Sequence, residues 1–209
     1  MIDLHTWSTP NGRKVSIALE EMGLDYRVVP VDIGAGEQHA PEFLRISPNN
    51  KVPAIVDGDV PVFESGAILL YLARRSGRFL AEEGTAEHRR TLEWLMWQMG
   101  GYGPMLGQAH HFLHFNPGTS GYAGKRYHDE ALRLTGVLDA RLGASAYLAG
   151  DALSIADFAV WPWTSRFDYQ RIDLNDHPNV RRWYTELAAR PGFARGYAVP
   201  DAHATIPMP

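Results

Sequence analysis

The sequence predicts an α/β domain followed by an all-helical domain. Up to Leu80, strand-like and helix-like segments alternate, and beyond Gly84 the strand signals disappear. The chain has 209 residues, 45% hydrophobic and 21% charged, a length and composition that suit one large domain or two small ones.

Each element can be read in order. Ile2 to Trp7 (IDLHTW) has the pattern of a strand, and Asn11 to Met22 that of a helix carrying Val15, Ile17, Ala18, Leu19 and Met22. Tyr26-Arg27-Val28-Val29-Pro30-Val31 is strand-like and ends in the loop DIGAGEQHAP, and EFLRI (42–46) is a short helical piece. Ala54-Ile55-Val56 and Pro61-Val62-Phe63 flank Asp57-Gly58, a strong hairpin signal. Glu64 to Arg75 reads as a helix with a broad apolar face. The order βαβ, α, ββ, α describes a mixed four-stranded sheet with helices on its faces.

In the second half, Glu87 to about Phe112 is helical, with a kink expected at Gly100-Gly101 and Gly103-Pro104. Tyr122 to Leu142 follows. Ser154-Ile155-Ala156-Asp157 is a capping-box variant, with Asp for the usual Glu, opening a helix through Trp161 and Trp163. His177 to Ala189 closes the series, with Pro178 in its first turn and Pro191 past its end. The tail from Pro200 is expected to be loose. The domains are expected at 1–82 and 87–209.

Composition removes several functions. A net charge of −4 recommends neither nucleic acid nor an anionic membrane as partner. No window approaches the roughly 18 apolar residues of a membrane helix. The start MIDLHTWSTPNG lacks the form of a signal peptide, so a cytoplasmic protein is expected. With no cysteine there is no disulfide scaffold, cysteine nucleophile or Cys-ligated zinc. Any thiol chemistry must use a sulfur that arrives with the substrate. His110 and His114 have metal-ligand spacing, but no Glu follows the first as in HExxH helices, so no metal is expected.

Three stretches carry the chemistry. The turn Ser8-Thr9-Pro10-Asn11-Gly12-Arg13-Lys14-Val15 offers hydroxyls and an amide, and its Pro and Gly mark a close approach of backbone or ligand. In Lys51-Val52-Pro53-Ala54 the proline holds Val52 extended. With a cis Val52–Pro53 bond, the Val52 backbone could take an extended peptide as a short added strand; a trans turn proline is the alternative. Phe63-Glu64-Ser65-Gly66 ends a strand and starts a helix, which makes a carboxylate site with a Ser65 hydroxyl donor and a Glu64 acceptor for an ammonium. The alternative is that Glu64 or Ser65 simply caps the helix.

Val52-Pro53 and Glu64-Ser65 together describe a receptor for a small acidic peptide with a free amino acid end. At these residues the chain resembles a cytosolic glutathione transferase. TPNGRKV, FLRISPNNKVPAIVD, FESGAILLYLA and WLMWQMGGYGPMLGQAHHF, in that order, are similar to the nu class. The resemblance covers nearly the whole chain. It implies a thioredoxin-like domain over 1–82 that binds glutathione and a helical domain over 87–209 that forms the second-substrate cleft.

In thioredoxin-like redox proteins the turn after the first strand holds Cys-Pro-x-Cys. With Pro10 as that proline, Thr9 stands at the first cysteine and Gly12 at the second. Bound glutathione would supply the sulfur, with Thr9 Oγ and the Asn11 amide as donors, and the helix N-terminus would lower the thiol pKa modestly. Thr9 and Asn11 could instead be turn and cap residues only. Ser8, one residue earlier, ranks behind both as a donor. The resemblance also implies glutathione contacts for Gln38, for Lys51 at the glycine carboxylate, for Val52 and Pro53 at the cysteinyl part, for Glu64 and Ser65 at the γ-glutamyl end, and for Arg126. Lys51 could equally be a solvated surface residue, and Arg126 could pair with Glu130 at i+4.

The activity so implied is glutathione-dependent reduction of disulfides. One bound thiolate attacks the disulfide, and a second glutathione resolves the mixed product. The cosubstrate is one or two reduced glutathiones, or the oxidised form, with no metal. The alternatives are conjugation of electrophiles, with peroxide reduction beside it, and a non-catalytic binding or regulatory module. The family's habit implies a homodimer.

Overall fold

Strand β1 (Ile2–Thr6) lies between β2 (Tyr26–Pro30) and β3 (Ala54–Asp57), and β4 (Val60–Phe63) completes a sheet of order β2-β1-β3-β4. The computed structural model describes all 209 residues. β1 runs parallel to β2 and antiparallel to β3, and β3 antiparallel to β4. The expected mixed four-stranded sheet is therefore present. Its register sets Leu4 against Val28 on one side and Ile55 on the other. Ile2 and Leu4 are fully buried and alternate with half-buried neighbours, the pattern of a strand with one face in the core.

A parallel β1–β2 pair needs a crossover, and α1 (Pro10–Met22) supplies it. Pro10 takes the first helical position, where its missing N–H costs nothing. Gly23, at φ 68°, ends the helix in the left-handed conformation that glycine reaches without a Cβ penalty. Val15, Ile17, Ala18 and Leu19 are all fully buried. The short α2 (Pro41–Leu44) follows β2, and α3 (Ser65–Ser76) follows the hairpin. Glu64, expected inside that helix, is its cap residue instead.

The second unit holds α4 (Ala86–Trp97), α5 (Gly103–His110), α6 (Gly121–Ala144), α7 (Ile155–Thr164) and α8 (Pro178–Ala188). The glycine-proline interruption expected in the first of these helices is a π-helical turn, Gln98–Tyr102, that links α4 to α5; a second, His111–Phe115, extends α5. A wider turn absorbs the hydrogen bond that Pro104 cannot donate.

A final helix, α9 (Pro191–Tyr197), was not expected from the sequence. Seven residues with two glycines show no periodicity, and so short a helix is held by packing rather than by propensity. It packs on α1: Ser16 Oγ donates to Gly196 O at 2.6 Å, Arg13 Nε donates to Tyr197 O at 3.1 Å, and Arg190 and Arg195 pair with Glu21 and Glu20. The chain divides into two compact units, Met1–Leu80 with Ala189–Ile206, and Ala81–Ala188 with Pro207–Pro209. Residues 189–206 thus belong with the sheet, where the sequence placed them with the helices. The stretch from Pro200 has no helix or strand, yet Tyr184 Oη donates to Pro207 O at 2.7 Å, so the tail's end is tied to α8.

The helical unit is pinned by its capping box. Ser154 Oγ accepts from Ala156 N, and the fully buried Asp157 carboxylate accepts from Ser154 N, Ser154 Oγ, Leu148 N and Trp183 Nε1 at 3.0–3.1 Å. Asp157→Ala would leave those donors buried without their acceptor, and a loss of about 3 kcal/mol or more is expected. Urea unfolding of the two proteins measures it.

Candidate functional site

The turn between β1 and α1 is tight, with Thr9 N donating to Trp7 O at 2.6 Å. Thr9, not Asn11, is the cap of α1: its Oγ1 accepts from Gly12 N at 3.0 Å, and its carbonyl accepts from Arg13 N at 3.0 Å. Because capping uses Thr9 Oγ1 as an acceptor, the hydroxyl proton can still be donated. The two roles weighed for Thr9 are therefore compatible. Asn11 stands in the first turn, half-buried, at the positive end of the helix.

Gly12 occupies the position of the second redox cysteine, and the geometry closes it to any side chain. A Cβ there would come within 2.5 Å of the Trp7 carbonyl oxygen and closer still to Thr6 Oγ1. The backbone approach signalled by the Pro-x-Gly spacing is thus an approach of the turn to itself.

At the head of α3, Glu64 sits at φ 71° and ψ 117°, an unfavourable backbone for a non-glycine residue, and it makes no side-chain capping bond. The helix end therefore lacks the side-chain cap weighed for Glu64, and Glu64 is exposed. Ser65 is the first helical residue and is 4% exposed. Its Oγ accepts from Lys14 Nζ at 3.3 Å. Lys14 is 1% exposed; burial lowers its pKa to about 7, against the raising effect of the Glu64 carboxylate. Lys14 was not among the residues singled out from the sequence. A signal for it existed, since Ile17 and Ala18, three and four positions on, share its helix face and are fully buried. A lysine on that face can only be an inward one.

The third stretch enters the sheet beside β1. The Val52–Pro53 bond is cis. Val52 precedes Ala54, the first β3 residue paired with β1, so its backbone groups lie outside that ladder. Ser47 Oγ donates to Lys51 O at 2.8 Å and fixes the loop. Gln38 lies in the turn Glu37–His39, and His39 Nδ1 meets Asn50 Nδ2 at 2.9 Å, which brings this turn against the Lys51-Val52-Pro53 loop. Gln38 Oε1 is buried with no hydrogen-bond partner, while Lys51 is exposed.

In the helical unit, Arg126 is exposed on α6 and lines a cavity of about 620 Å³ with Met105, Tyr122, Lys125 and Arg133. The pairing with Glu130 considered for it does not occur: Arg133 takes both Glu130 carboxylate oxygens at 2.7 Å. His110 and His114 belong to an aromatic cluster, His114 stacking on Tyr169 at 3.8 Å and His110 on Phe115 at 4.6 Å. Burial lowers the His110 pKa to about 4. No group of three His, Asp or Glu side chains is arranged to hold a metal ion.

A mixed four-stranded sheet with a Thr-Pro turn heading its first helix, joined to a helical unit, defines a class of protein. The model of the glutathione S-transferase N-terminal domain matches residues 2–74, and that of the C-terminal domain matches residues 123–186. The chain belongs to the glutathione S-transferase family. Among named relatives, it is 54% identical over 198 residues to the disulfide-bond oxidoreductase YfcG of Escherichia coli K12, spanning 91% of this chain and 92% of that one. The disulfide-bond oxidoreductase YghU of the same organism is 38% identical over 216 residues, spanning 95% and 74%. A glutathione transferase family member from Pseudomonas fluorescens Pf-5, solved with two glutathione bound, superposes with a TM-score of 0.89 at 44% identity over 95% of this chain and 93% of that one. A glutathione transferase from Pseudomonas putida, solved with one glutathione disulfide per subunit, gives 0.87 at 41% identity over 95% and 91%.

The Gly12 contact yields a test on the turn itself. Gly12→Ala must displace the Trp7 carbonyl, and a loss of roughly 1–3 kcal/mol in chemical denaturation is expected. An unchanged midpoint would mean that the turn yields freely.

Proposed function

We propose that this chain is a glutathione-dependent disulfide-bond reductase in which bound glutathione supplies the sulfur that a redox cysteine provides elsewhere. The observation that carries the reading is the α1 cap. Thr9 occupies the nucleophile position with an available hydroxyl proton, in a chain without cysteine. The reading agrees with the disulfide-bond oxidoreductase name of the Escherichia coli relative YfcG and with the glutathione and glutathione disulfide in the related structures.

Thr9 Oγ and the Asn11 amide donate to the glutathione sulfur, and the positive end of α1 favours its thiolate. Val52, ahead of Pro53, takes the cysteinyl backbone as an added strand. Gln38 faces the ligand with its buried amide, and Lys51 meets the glycine carboxylate. Glu64 accepts from the γ-glutamyl ammonium, and Ser65 with the amides at the head of α3 holds its carboxylate. Arg126, with no direct bond to Glu130, is held for bound glutathione.

The thiolate attacks one sulfur of the substrate disulfide, forming a new S–S bond and expelling the other sulfur as a thiolate, which takes a proton from water. A second glutathione thiolate attacks the glutathione sulfur of that mixed disulfide. Oxidised glutathione forms and the second substrate thiol leaves, so two glutathiones supply the two electrons. A homodimer working in the cytoplasm completes the proposal. Support for the compartment is that a chain with no cysteine has no disulfide for an oxidising one to maintain.

Reduction of 2-hydroxyethyl disulfide, coupled to glutathione reductase, tests the reading. Thr9→Ala and Asn11→Ala are each expected to lose roughly 10- to 100-fold in turnover, the worth of one hydrogen bond to a charged group. Strong conjugation of an aryl halide with negligible disulfide turnover would make the chain a conjugating transferase instead. Glutathione binding without either activity would make it a binding module. In the same assay Glu64→Gln is expected to raise KM for glutathione about tenfold with little change in kcat, because the group it contacts lies far from the reacting sulfur.

A further inference from the structure

One arginine of the helical unit has no counter-charge. Arg166, just past the end of α7, is half-buried, its side chain makes no hydrogen bond or ion pair, and its Nε is buried without a partner. Asp168, the nearest acidic residue along the chain, is exposed and does not pair with it. His110 of α5 is a second group of this kind: it is 8% exposed, and its Nε2 is buried with no partner. Native interiors rarely leave such groups unmatched, because an unpaired buried donor or charge costs free energy. We propose that Arg166 and His110, gathered around the Tyr169 ring, form a carboxylate-binding site of the helical unit. None of these residues is among the glutathione contacts assigned above.

Both groups meet at Tyr169. Arg166 Cζ lies 5.3 Å from the centre of that ring, the His110 ring lies 4.7 Å from it, and His114 stacks on it at 3.8 Å. The backbone that presents them is held at several points. Gln170 N donates to Arg166 O at 3.2 Å and Arg171 N to Asp168 O at 3.1 Å, which closes the turn Phe167–Gln170 after α7. Arg171 Nη2 donates to Leu113 O at 3.2 Å, tying that turn to the π-helical turn that follows His110. The Arg166 η nitrogens and His110 Nδ1 are also unbonded but reach the surface, so each side chain has an edge open to a ligand.

Charge selects the ligand. Burial holds the His110 pKa at about 4, with the Arg166 charge acting in the same direction, so the imidazole is neutral and the pair carries one positive charge. A carboxylate matches that charge and accepts the planar guanidinium fork with both oxygens. A phosphate dianion would keep an uncompensated negative charge. Phe115, stacked on His110 at 4.6 Å and 64% exposed, extends the aromatic wall beside the two groups. Apolar walls strengthen a charge pair by excluding water. The competing role for Arg166 is structural. Gln170 Oε1, one turn on, is a buried acceptor without a partner, since Gln170 Nε2 is committed to Trp163 O at 3.2 Å. Arg166 Nε does not reach it in the structure.

The carboxylate can belong to the disulfide substrate or to a separate small molecule, and two measurements distinguish them. The first follows the His110 ring signals by NMR while adipate is added to protein saturated with S-methylglutathione, which fills the glutathione contacts. A saturable shift is expected in wild type and roughly tenfold weaker binding in Arg166→Gln. No saturable shift in wild type, the same shift from chloride at equal ionic strength, or equal adipate affinity in a folded Arg166→Gln overturns the proposal. The last result would leave Arg166 as a structural partner of Gln170. If Arg166→Gln does not fold, Arg166→Lys decides: it keeps the charge but loses the fork, so adipate must bind more weakly, and equal affinity overturns the site. The second compares 3,3′-dithiodipropionate with 2-hydroxyethyl disulfide in the coupled assay. A fall of about tenfold in the kcat/KM ratio of the acidic to the neutral disulfide in Arg166→Gln assigns the site to the substrate's carboxylate. An unchanged ratio, with the adipate shift lost, assigns it to a separate carboxylate. The NMR measurement needs no turnover, so failure of the reductase reading and failure of this site are separately visible.

Discussion

The site depends on a backbone contact far along the chain from it. At Gly196 of α9, a Cβ would come within 2.6 Å of Ile17 N and 2.8 Å of Ser16 C, so the two helices touch backbone to backbone. Ser16 Oγ and Arg13 Nε each give a hydrogen bond to α9 carbonyls across that contact, and the Arg13 guanidinium lies 3.7 Å from the centre of the Tyr197 ring. With α9 on one flank and α3 on another, α1 is fixed in position. Thr9, as its cap, and Lys14, on its buried face, are both held by that one helix.

That rigidity matters because the chemistry is borrowed. A protein cysteine has its sulfur placed by its own backbone. A glutathione sulfur must be placed by contacts along the whole tripeptide. In the proposed site those contacts would come from three stretches of defined backbone: the self-crowded turn at Gly12, the Val52 segment outside the β1–β3 ladder, and the head of α3 with its strained cap at Glu64. Fixed donors aimed at a developing charge need no reorganisation when the thiolate forms.

Much of this was legible in the sequence because it rests on local rules. The hairpin at Asp57-Gly58 and the capping box at Ser154 are short-range signals, and both are present. What was not legible depends on distant partners. The helix at Pro191–Tyr197 exists because α1 receives it, and nothing in GFARGY announces that. Which residue caps α1 follows from where the helix starts: it begins at Pro10, so the cap falls to Thr9 rather than to Asn11. Arg126 had Glu130 within reach on paper, yet Arg133 has the better fork geometry for that carboxylate. Lys14 stands in the polar first turns of α1, where a lysine reads as a surface residue until its helix face is traced.

The central claim is that this cysteine-free turn makes a bound sulfur reactive. The most direct measurement is the pKa of the glutathione thiol in the complex, followed by its thiolate absorbance in the ultraviolet, for wild type and for Thr9→Val. A value depressed below that of free glutathione, rising again in Thr9→Val, is the predicted result. A thiol that titrates in the wild-type complex as it does in water would contradict the account.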